Sequence, residues 1–312
     1  MKNLNGSFEE YIDRKAKASG AVSENEFILL DRLTKIKDTI LKYGEDNFYL
    51  SFSGGKDSCV LSALVDYALP ENRIPRVYIN TGIELNMIRT FVEKMREEDS
   101  RVEIIQPKLN IKDTLEKYGY PFKSKKHAKK LGTFQRHGYT KTAEEYLGEG
   151  RYSCPKCLRY QFTDEFTSKL KVDYQCCIQM KEKPLILYGK KNNKPYSLVG
   201  IMKDEGGGRR NAGCLAFTNT KKGKVLKNFQ PLVPVTKEWE EWFIKEFDIK
   251  ICDIYYPPYN FVRTGCKGCP FALNLKHELE VLEQFFPAER KQCELIWKPV
   301  YDEYRRIGYR IN

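Results

Sequence analysis

Two sets of residues in this 312-residue chain have types and spacings suited to chemistry. The first is Ser53-Gly54-Gly55-Lys56-Asp57-Ser58, which packs two glycines, a cation, a carboxylate and two hydroxyls into six positions. Glycines let a backbone approach phosphate oxygens closely, and the unpaired N–H groups that open a helix attract an anion. Asp57 stands where a Walker loop has Ser or Thr, so this is a different phosphate loop or, at its plainest, a tight turn.

The second set is the cysteines, ten in all. Met1 to Glu10 shows no apolar export segment, which predicts a cytoplasmic chain whose thiols stay reduced. Cys176-Cys177 and Cys266-x-x-Cys269 together offer four thiolates, the ligand set of a [4Fe–4S] cluster. Zinc is the rival, since four sulfurs also satisfy a tetrahedral ion, and free structural thiols are the third role. Cys154-Pro155-Lys156-Cys157 is a further CxxC, readable as a redox dithiol, a sulfur carrier or two unrelated thiols. Cys59, Cys252 and Cys293 look isolated, and Cys214 follows a glycine.

Net charge is +12, and it is local. Residues 121–160 hold ten Lys/Arg against three Asp/Glu, and residues 181–230 hold twelve against three, so the remainder is slightly acidic. Such asymmetry suits a polyanion, a nucleotide or a nucleic acid, although a solvated lysine surface has the same composition. His127, His137 and His277 have no metal-ligand spacing. Trp239, Trp242 and Phe243 at helical spacing suit a core better than a base-stacking platform.

These groups need elements to position them. Hydrophobic content of 41% supports a core, and no apolar run approaches a membrane span. Helical spacing runs from Glu24 to Lys42 through Phe27, Leu30, Leu33, Ile36, Ile40 and Leu41. Then come a strand at Asn47 to Phe52, a helix from Ser58 to Leu69, a strand at Pro75 to Asn80, a helix from Leu85 to Met95 and a strand at Val102 to Ile105. This alternation predicts an α/β fold, a Rossmann-like parallel sheet flanked by helices. From about Lys108 to Ser153 the alternation stops, and a basic insertion over the site is expected. A strand returns at Tyr196 to Met202 before Gly206 to Gly208. Thr236 caps a later helix, and the tail from Glu278 to Tyr309 is helical.

In that strand–turn–helix setting, the hexapeptide resembles the PP-loop of ATP pyrophosphatases, which split ATP between its α and β phosphates. Asn80-Thr81-Gly82 is similar to that superfamily's nucleotide-contacting turn. Gly200-Ile201-Met202-Lys203-Asp204-Glu205 through Arg209 and Arg210 resembles the arginine-bearing segment of the phosphoadenosine phosphosulfate (PAPS) reductase branch. The resemblance covers roughly residues 45–275, between a helical segment at 1–44 and a helical tail at 276–312. It implies that Asp57 helps hold Mg²⁺ and that Ser53, Gly54, Gly55, Lys56 and Ser58 cradle the pyrophosphate of ATP. By the same resemblance Asn80, Thr81, Gly82 and Arg210 bind the nucleotide, and Arg209 joins Asp57 as catalytic.

Cys176-Cys177-Ile178-Gln179-Met180-Lys181 with Pro184-Leu185 resembles the double-cysteine segment of adenylyl-sulfate (APS) reductases, whose CC and CxxC pairs bind a [4Fe–4S] cluster. Carried over, Cys176, Cys177, Cys266 and Cys269 are ligands and Lys181 is a catalytic cation beside cluster and substrate. Mobile-element members of the PAPS reductase family look alike around Gly213-Cys214, which offers Cys214 in place of Cys176. Cys293 lies near the carboxyl end, where sulfonucleotide reductases carry a nucleophilic cysteine followed by glycine and histidine. Gln292-Cys293-Glu294-Leu295 has neither.

Three functions follow as expectations. One is an ATP-dependent, adenylating sulfur transferase that takes sulfur from a donor protein and thiolates a nucleic acid or nucleotide. The second is APS or PAPS reduction to sulfite. The third is a non-catalytic nucleic-acid-binding component of a DNA-modification or defence assembly.

Overall fold

A computed structural model describes residues 10–11, 13–14, 17, 22–150, 153–205, 207–220 and 223–311. Met1 to Glu9, and Gly206 of the glycine run, lie outside the described residues. In chain order the longer helices are α1 (Glu24–Tyr43), α2 (Lys56–Ala68), α3 (Asn86–Glu98), α4 (Ile111–Tyr118), α5 (Lys125–His137), α6 (Lys141–Leu147), α7 (Asp164–Lys169), α8 (Lys183–Lys191), α9 (Lys237–Glu246), α10 (Leu275–Phe285) and α11 (Pro287–Arg306). The strands are β1 (Phe48–Ser51), β2 (Arg76–Ile79), β3 (Val102–Ile105), β4 (Tyr196–Leu198), β5 (Leu215–Thr220) and β6 (Gly223–Phe229). Among the described residues, no helix is long and apolar enough to cross a membrane.

The chain divides into two compact units. The first comprises Met1–Ile79, Met87–Ile105 and Leu185–Tyr255. It holds a six-stranded sheet in the order β3-β2-β1-β4-β6-β5, parallel throughout except for β5 against β6. This is the expected Rossmann-like α/β sheet. Phe48, Tyr49, Leu50 and all four residues of β2 are buried, as strands covered on both faces must be. Arg76 is tolerated there because its guanidinium pairs with Asp66 at 2.6 Å and bonds Ser62 and Asn72 at 3.1 and 2.8 Å.

Ser23 and Glu26 close a capping box on α1. The buried stripe of that helix is Leu29, Leu33, Ile36 and Ile40, whereas Phe27, Leu30 and Leu41 of the same helical spacing face solvent. α2 begins at Lys56, two residues before the expected start, which puts Lys56 and Asp57 in its first turn. The β5–β6 hairpin was not expected. Its outer residues are exposed and mostly polar, so it lacks the apolar run that marks a strand.

The second unit comprises Asn80–Asn86, Gln106–Pro184 and Tyr256–Asn312. The basic segment expected as an irregular insertion is helical instead. Asn110, Ser124 and Thr140 accept the third backbone N–H of α4, α5 and α6 respectively, and these caps set the three helix starts. α5 turns Ala128, Leu131 and Phe134 inward against Phe162, with its lysines on the other side. α11 buries Trp297, Val300, Tyr301 and Tyr304.

Candidate functional site

β1 leaves the sheet at the point where strand order reverses, with β2 on one side and β4 on the other, and ligands of such sheets bind beyond these carboxyl ends. Ser53 to Ser58 occupies that position. Gly54 has φ +70°, and a β-carbon there would come within 2.6 Å of Val92 and 3.0 Å of Ile88 on α3, so glycine is required twice over. The Ser53 hydroxyl accepts from Gly55 N at 3.2 Å and meets the Ser58 hydroxyl at 3.1 Å. Gly55 caps α2 without a side-chain bond, and the first helical amide, Lys56 N, donates to the Tyr255 hydroxyl at 3.2 Å.

Lys56 pairs with Glu240 of α9 at 2.7 Å, and the Glu240 carboxylate is fully buried. Burial, the nearby Asp57 charge and a hydrogen bond shared with Asp57 raise Glu240 to about 7, against the pull of Lys56. Burial works to lower Lys56, but the Glu240 bond and the charges of Glu240, Asp57 and Glu241 outweigh it and leave the ammonium raised. The loop therefore presents a held cation beside two carboxyl groups, one of them buried and raised toward neutrality. Sequence reasoning missed Glu240. Helical spacing marks Trp239 and Phe243 as core, which they are, and carries no signal for the first-turn carboxylate between them.

This arrangement has a measurable pH signature. Glu240 binds its proton more tightly folded than unfolded, so its contribution to stability is present below about 4.5 and is lost as pH rises through about 7. Each tenfold difference in proton affinity is worth ~1.4 kcal/mol, so the parent should lose on the order of 2 kcal/mol relative to Glu240→Gln between pH 5 and pH 8. Urea titrations at the two pH values measure this, and parallel pH profiles would refute it.

Gly200, after β4, lies so close to the loop that a β-carbon would sit 2.8 Å from the Asp57 carbonyl oxygen. Arg209 is half-buried and Arg210 exposed in the short 3-10 helix Gly207–Asn211. Cys214, half-buried, belongs to this first unit, where the Arg32 guanidinium approaches its sulfur at 3.6 Å.

The second unit gathers the other candidates. Thr81 donates its amide to Glu84 at 3.1 Å and its hydroxyl to the same carboxylate, and Gly82 N bonds the Asn80 side chain at 3.1 Å. Glu84 forms an antiparallel bridge with Cys266, and Lys267 N donates to Ile83 O at 2.8 Å, so the turn and the CxxC loop are stitched together. Cys176 and Cys177 sit on a helical turn, Gln175–Cys177, that runs into a π-helix, Ile178–Glu182. Successive side chains diverge to opposite faces on a strand, but on a helix both can look toward one partner. The neighbouring Cys176 thiol, with help from Lys125 and Lys181, lowers Cys177 to about 6 against burial. Burial raises Cys266 and Cys269, with Lys181 opposing in both cases. Lys181 is raised, foremost by the Cys266 charge and further by Glu84, Cys177 and Cys269.

Four thiols and one lysine thus share one electrostatic neighbourhood, a donor set that suits thiolate-ligated iron. Among the described residues, no three His, Cys, Asp or Glu side chains are grouped so as to hold a metal ion.

A support for the CxxC loop also escaped sequence reasoning. Trp297 donates to Lys267 O at 3.0 Å, Tyr301 to Gly268 O and Tyr304 to Pro270 O at 2.9 Å, from one face of α11. Lys267 and Glu289 form a buried pair at 3.1 Å. Cys293 is fully buried behind the same loop, its sulfur 2.8 Å from where a Gly268 β-carbon would lie, and burial pushes its thiol up to about 12. His127 is structural: it is buried between Tyr146 and Gln161 at 3.1 and 2.8 Å, and burial lowers it to about 4.

A glycine–lysine–aspartate loop stands at the reversal point of a parallel α/β sheet, the place where ligands of such sheets bind. The chain belongs to the phosphoadenosine phosphosulfate reductase domain family, whose model matches residues 47–272. No curated protein matches it. Among solved structures, it is similar to the FMN adenylyltransferase of Candida glabrata at 12% identity and TM-score 0.43, over 80% of this chain and 65% of that one. It is similar to the PAPS reductase of Candida auris in its phosphate complex at 11% identity and TM-score 0.39, over 75% of this chain and 91% of that one. A third is the U34-tRNA thiolase of Methanococcus maripaludis with its [4Fe-4S] cluster, at 16% identity and TM-score 0.38, over 94% of this chain and 84% of that one.

Proposed function

We propose that this protein is an ATP-cleaving enzyme that adenylates an acceptor and then replaces the adenylate with sulfur. The observation that carries the proposal is the intact Ser53–Ser58 loop, with Lys56 held between Glu240 and Asp57 at the opening of α2. An acceptor oxygen attacks the α-phosphorus of ATP, pyrophosphate leaves, and a sulfur nucleophile from a donor protein then displaces AMP. Ser53, Gly54, Gly55, Lys56 and Ser58 cradle the departing pyrophosphate. Asp57 would hold Mg²⁺, which supplies charge neutralisation for the phosphates, and Arg209 and Arg210 would add to that neutralisation.

In the second unit Cys176, Cys177, Cys266 and Cys269 would hold a [4Fe–4S] cluster, and Lys181 would balance the charge of its thiolates. When bound, the cluster supplies thiolate-ligated iron for sulfur or electron chemistry.

Sulfonucleotide reduction is the second reading, supported by the paired cysteines and Lys181. The burial of Cys293 counts against it, because a thiol raised to about 12 behind a packed loop has no route to a nucleotide. Product analysis separates the two. Anaerobic protein given ATP and Mg²⁺ should release AMP and pyrophosphate, whereas sulfite from APS without ATP cleavage would transfer the assignment to reduction.

A nucleic-acid acceptor carries its own expectation. Lys125, Lys126 and Lys129 are exposed along α5, with Lys130 half-buried beside them. Affinity for RNA or DNA should fall with salt at a log–log slope of about 0.7 to 0.9 per phosphate neutralised, and charge reversal at these four positions should flatten it without changing ATP affinity. If the same variants alter ATP affinity instead, the lysines serve the nucleotide. Binding that needs no ATP and accompanies no turnover would favour a non-catalytic component.

A further inference from the structure

Cys154 and Cys157 take no part in either site, yet the second unit builds a setting around them. Cys154 is 2% exposed and its amide donates to Tyr146 O at 2.6 Å. Pro155 follows it, and the 3-10 helix Lys156–Gln161 carries Cys157 out to solvent. The two sulfurs lie within each other's electrostatic reach, and both act on Lys123. Lys123 has φ +58°, and its amide is held by the Tyr304 hydroxyl at 2.7 Å.

Behind Cys154 a hydrogen-bonded chain runs inward. The thiol donates to Pro155 O at 3.6 Å close to the Tyr146 hydroxyl, which meets His127 Nδ1 at 3.1 Å. His127 Nε2 meets Gln161 Oε1 at 2.8 Å, and Gln161 Nε2 donates to the Tyr160 hydroxyl at 3.3 Å. One thiol is thus buried beside a polar network while its partner is exposed to solvent, with Lys123 near both and Arg159 near Cys154. Exposed thiols near cations are the reactive kind, and buried ones are inert until a partner reaches them.

We propose that Cys154 and Cys157 form a redox-active dithiol, in which Cys157 is the entry thiol and Cys154 the resolving thiol toward a disulfide partner. The Cys157 thiolate attacks one sulfur of an external disulfide, forming a mixed disulfide and expelling one thiolate. Cys154 then attacks the Cys157 sulfur, forming the Cys154–Cys157 bond and expelling the second thiolate. Two protein thiols are oxidised, one disulfide is reduced to two thiols, and the protein's two protons end on the products. A dithiol reductant reverses the sequence. Burial keeps the Cys154 thiol up at about 11, so its attack on the mixed disulfide is coupled to loss of its proton to solvent. The assignment is independent of ATP cleavage.

The test uses the full chain, purified anaerobically, exposed to glutathione disulfide, alkylated and mapped by peptide mass spectrometry. The expected result is paired loss of alkylation at Cys154 and Cys157 through an internal disulfide, restored by dithiothreitol. Cys154→Ser should accumulate one glutathione on Cys157, and Cys157→Ser should leave Cys154 unmodified. A lasting glutathione adduct on Cys157 of the parent chain, glutathione on Cys154 of the Cys157→Ser chain, or no change at either cysteine overturns the proposal. The parent map decides the question even if Cys154→Ser does not fold.

Discussion

Asp57→Ala is expected to lower ATP turnover by about three orders of magnitude while leaving the fold in place. Removing a metal-holding carboxylate costs several kcal/mol of transition-state charge stabilisation. Asp57 is only half-buried, in the first turn of α2, so little packing is lost with it. The variant carries a second readout, because the Asp57 charge helps to raise Glu240 to about 7. Without that charge Glu240 should titrate lower, and the pH dependence of stability should shift with it. AMP and pyrophosphate formation and urea midpoints across pH measure the two effects. Undiminished turnover would remove Asp57 from the chemistry.

Replacing Cys266 or Cys269 with alanine should have the other large effect. The parent, purified anaerobically, should be brown and contain about four irons per chain, and either substitution should strip the iron and lower the melting temperature. Cys59→Ala serves as the control: its thiol is buried in the first unit near Cys252, and metal content should not change. Cys176→Ala should lose iron and Cys214→Ala should keep it, since Cys176 shares the field of Cys177, Cys269 and Cys266 whereas Cys214 stands against Arg32. Iron loss from Cys214→Ala with retention in Cys176→Ala would reverse the ligand assignment. Stoichiometric zinc without iron would end the cluster proposal.

The parallel sheet was legible because strands buried on both faces, such as Phe48 to Leu50, cannot hide their apolar runs. The phosphate loop was legible because its residues are consecutive. The hairpin of β5 and β6 escaped because an exposed edge strand carries little apolar signal. The helices of 111–147 escaped through their lysine content, although Asn110, Ser124 and Thr140 had marked their starts. Glu240 and the aromatic face of α11 were illegible for a deeper reason. Their roles lie in partners remote in the chain, Lys56 and the Cys266–Pro270 loop, and periodicity cannot tell a buried side chain that only packs from one that also holds something.

The bonds from Trp297, Tyr301 and Tyr304 to three carbonyls of the CxxC loop bear on how metal would be taken up. Backbone that is already fixed has no rotational freedom left to lose on ligation, so the ordering cost that small metal-dependent domains meet at binding is met here during folding. Uptake of a cluster at Cys266 and Cys269 would therefore be a local event with modest reorganisation, and protein stripped of iron should reload without passing through an unfolded chain.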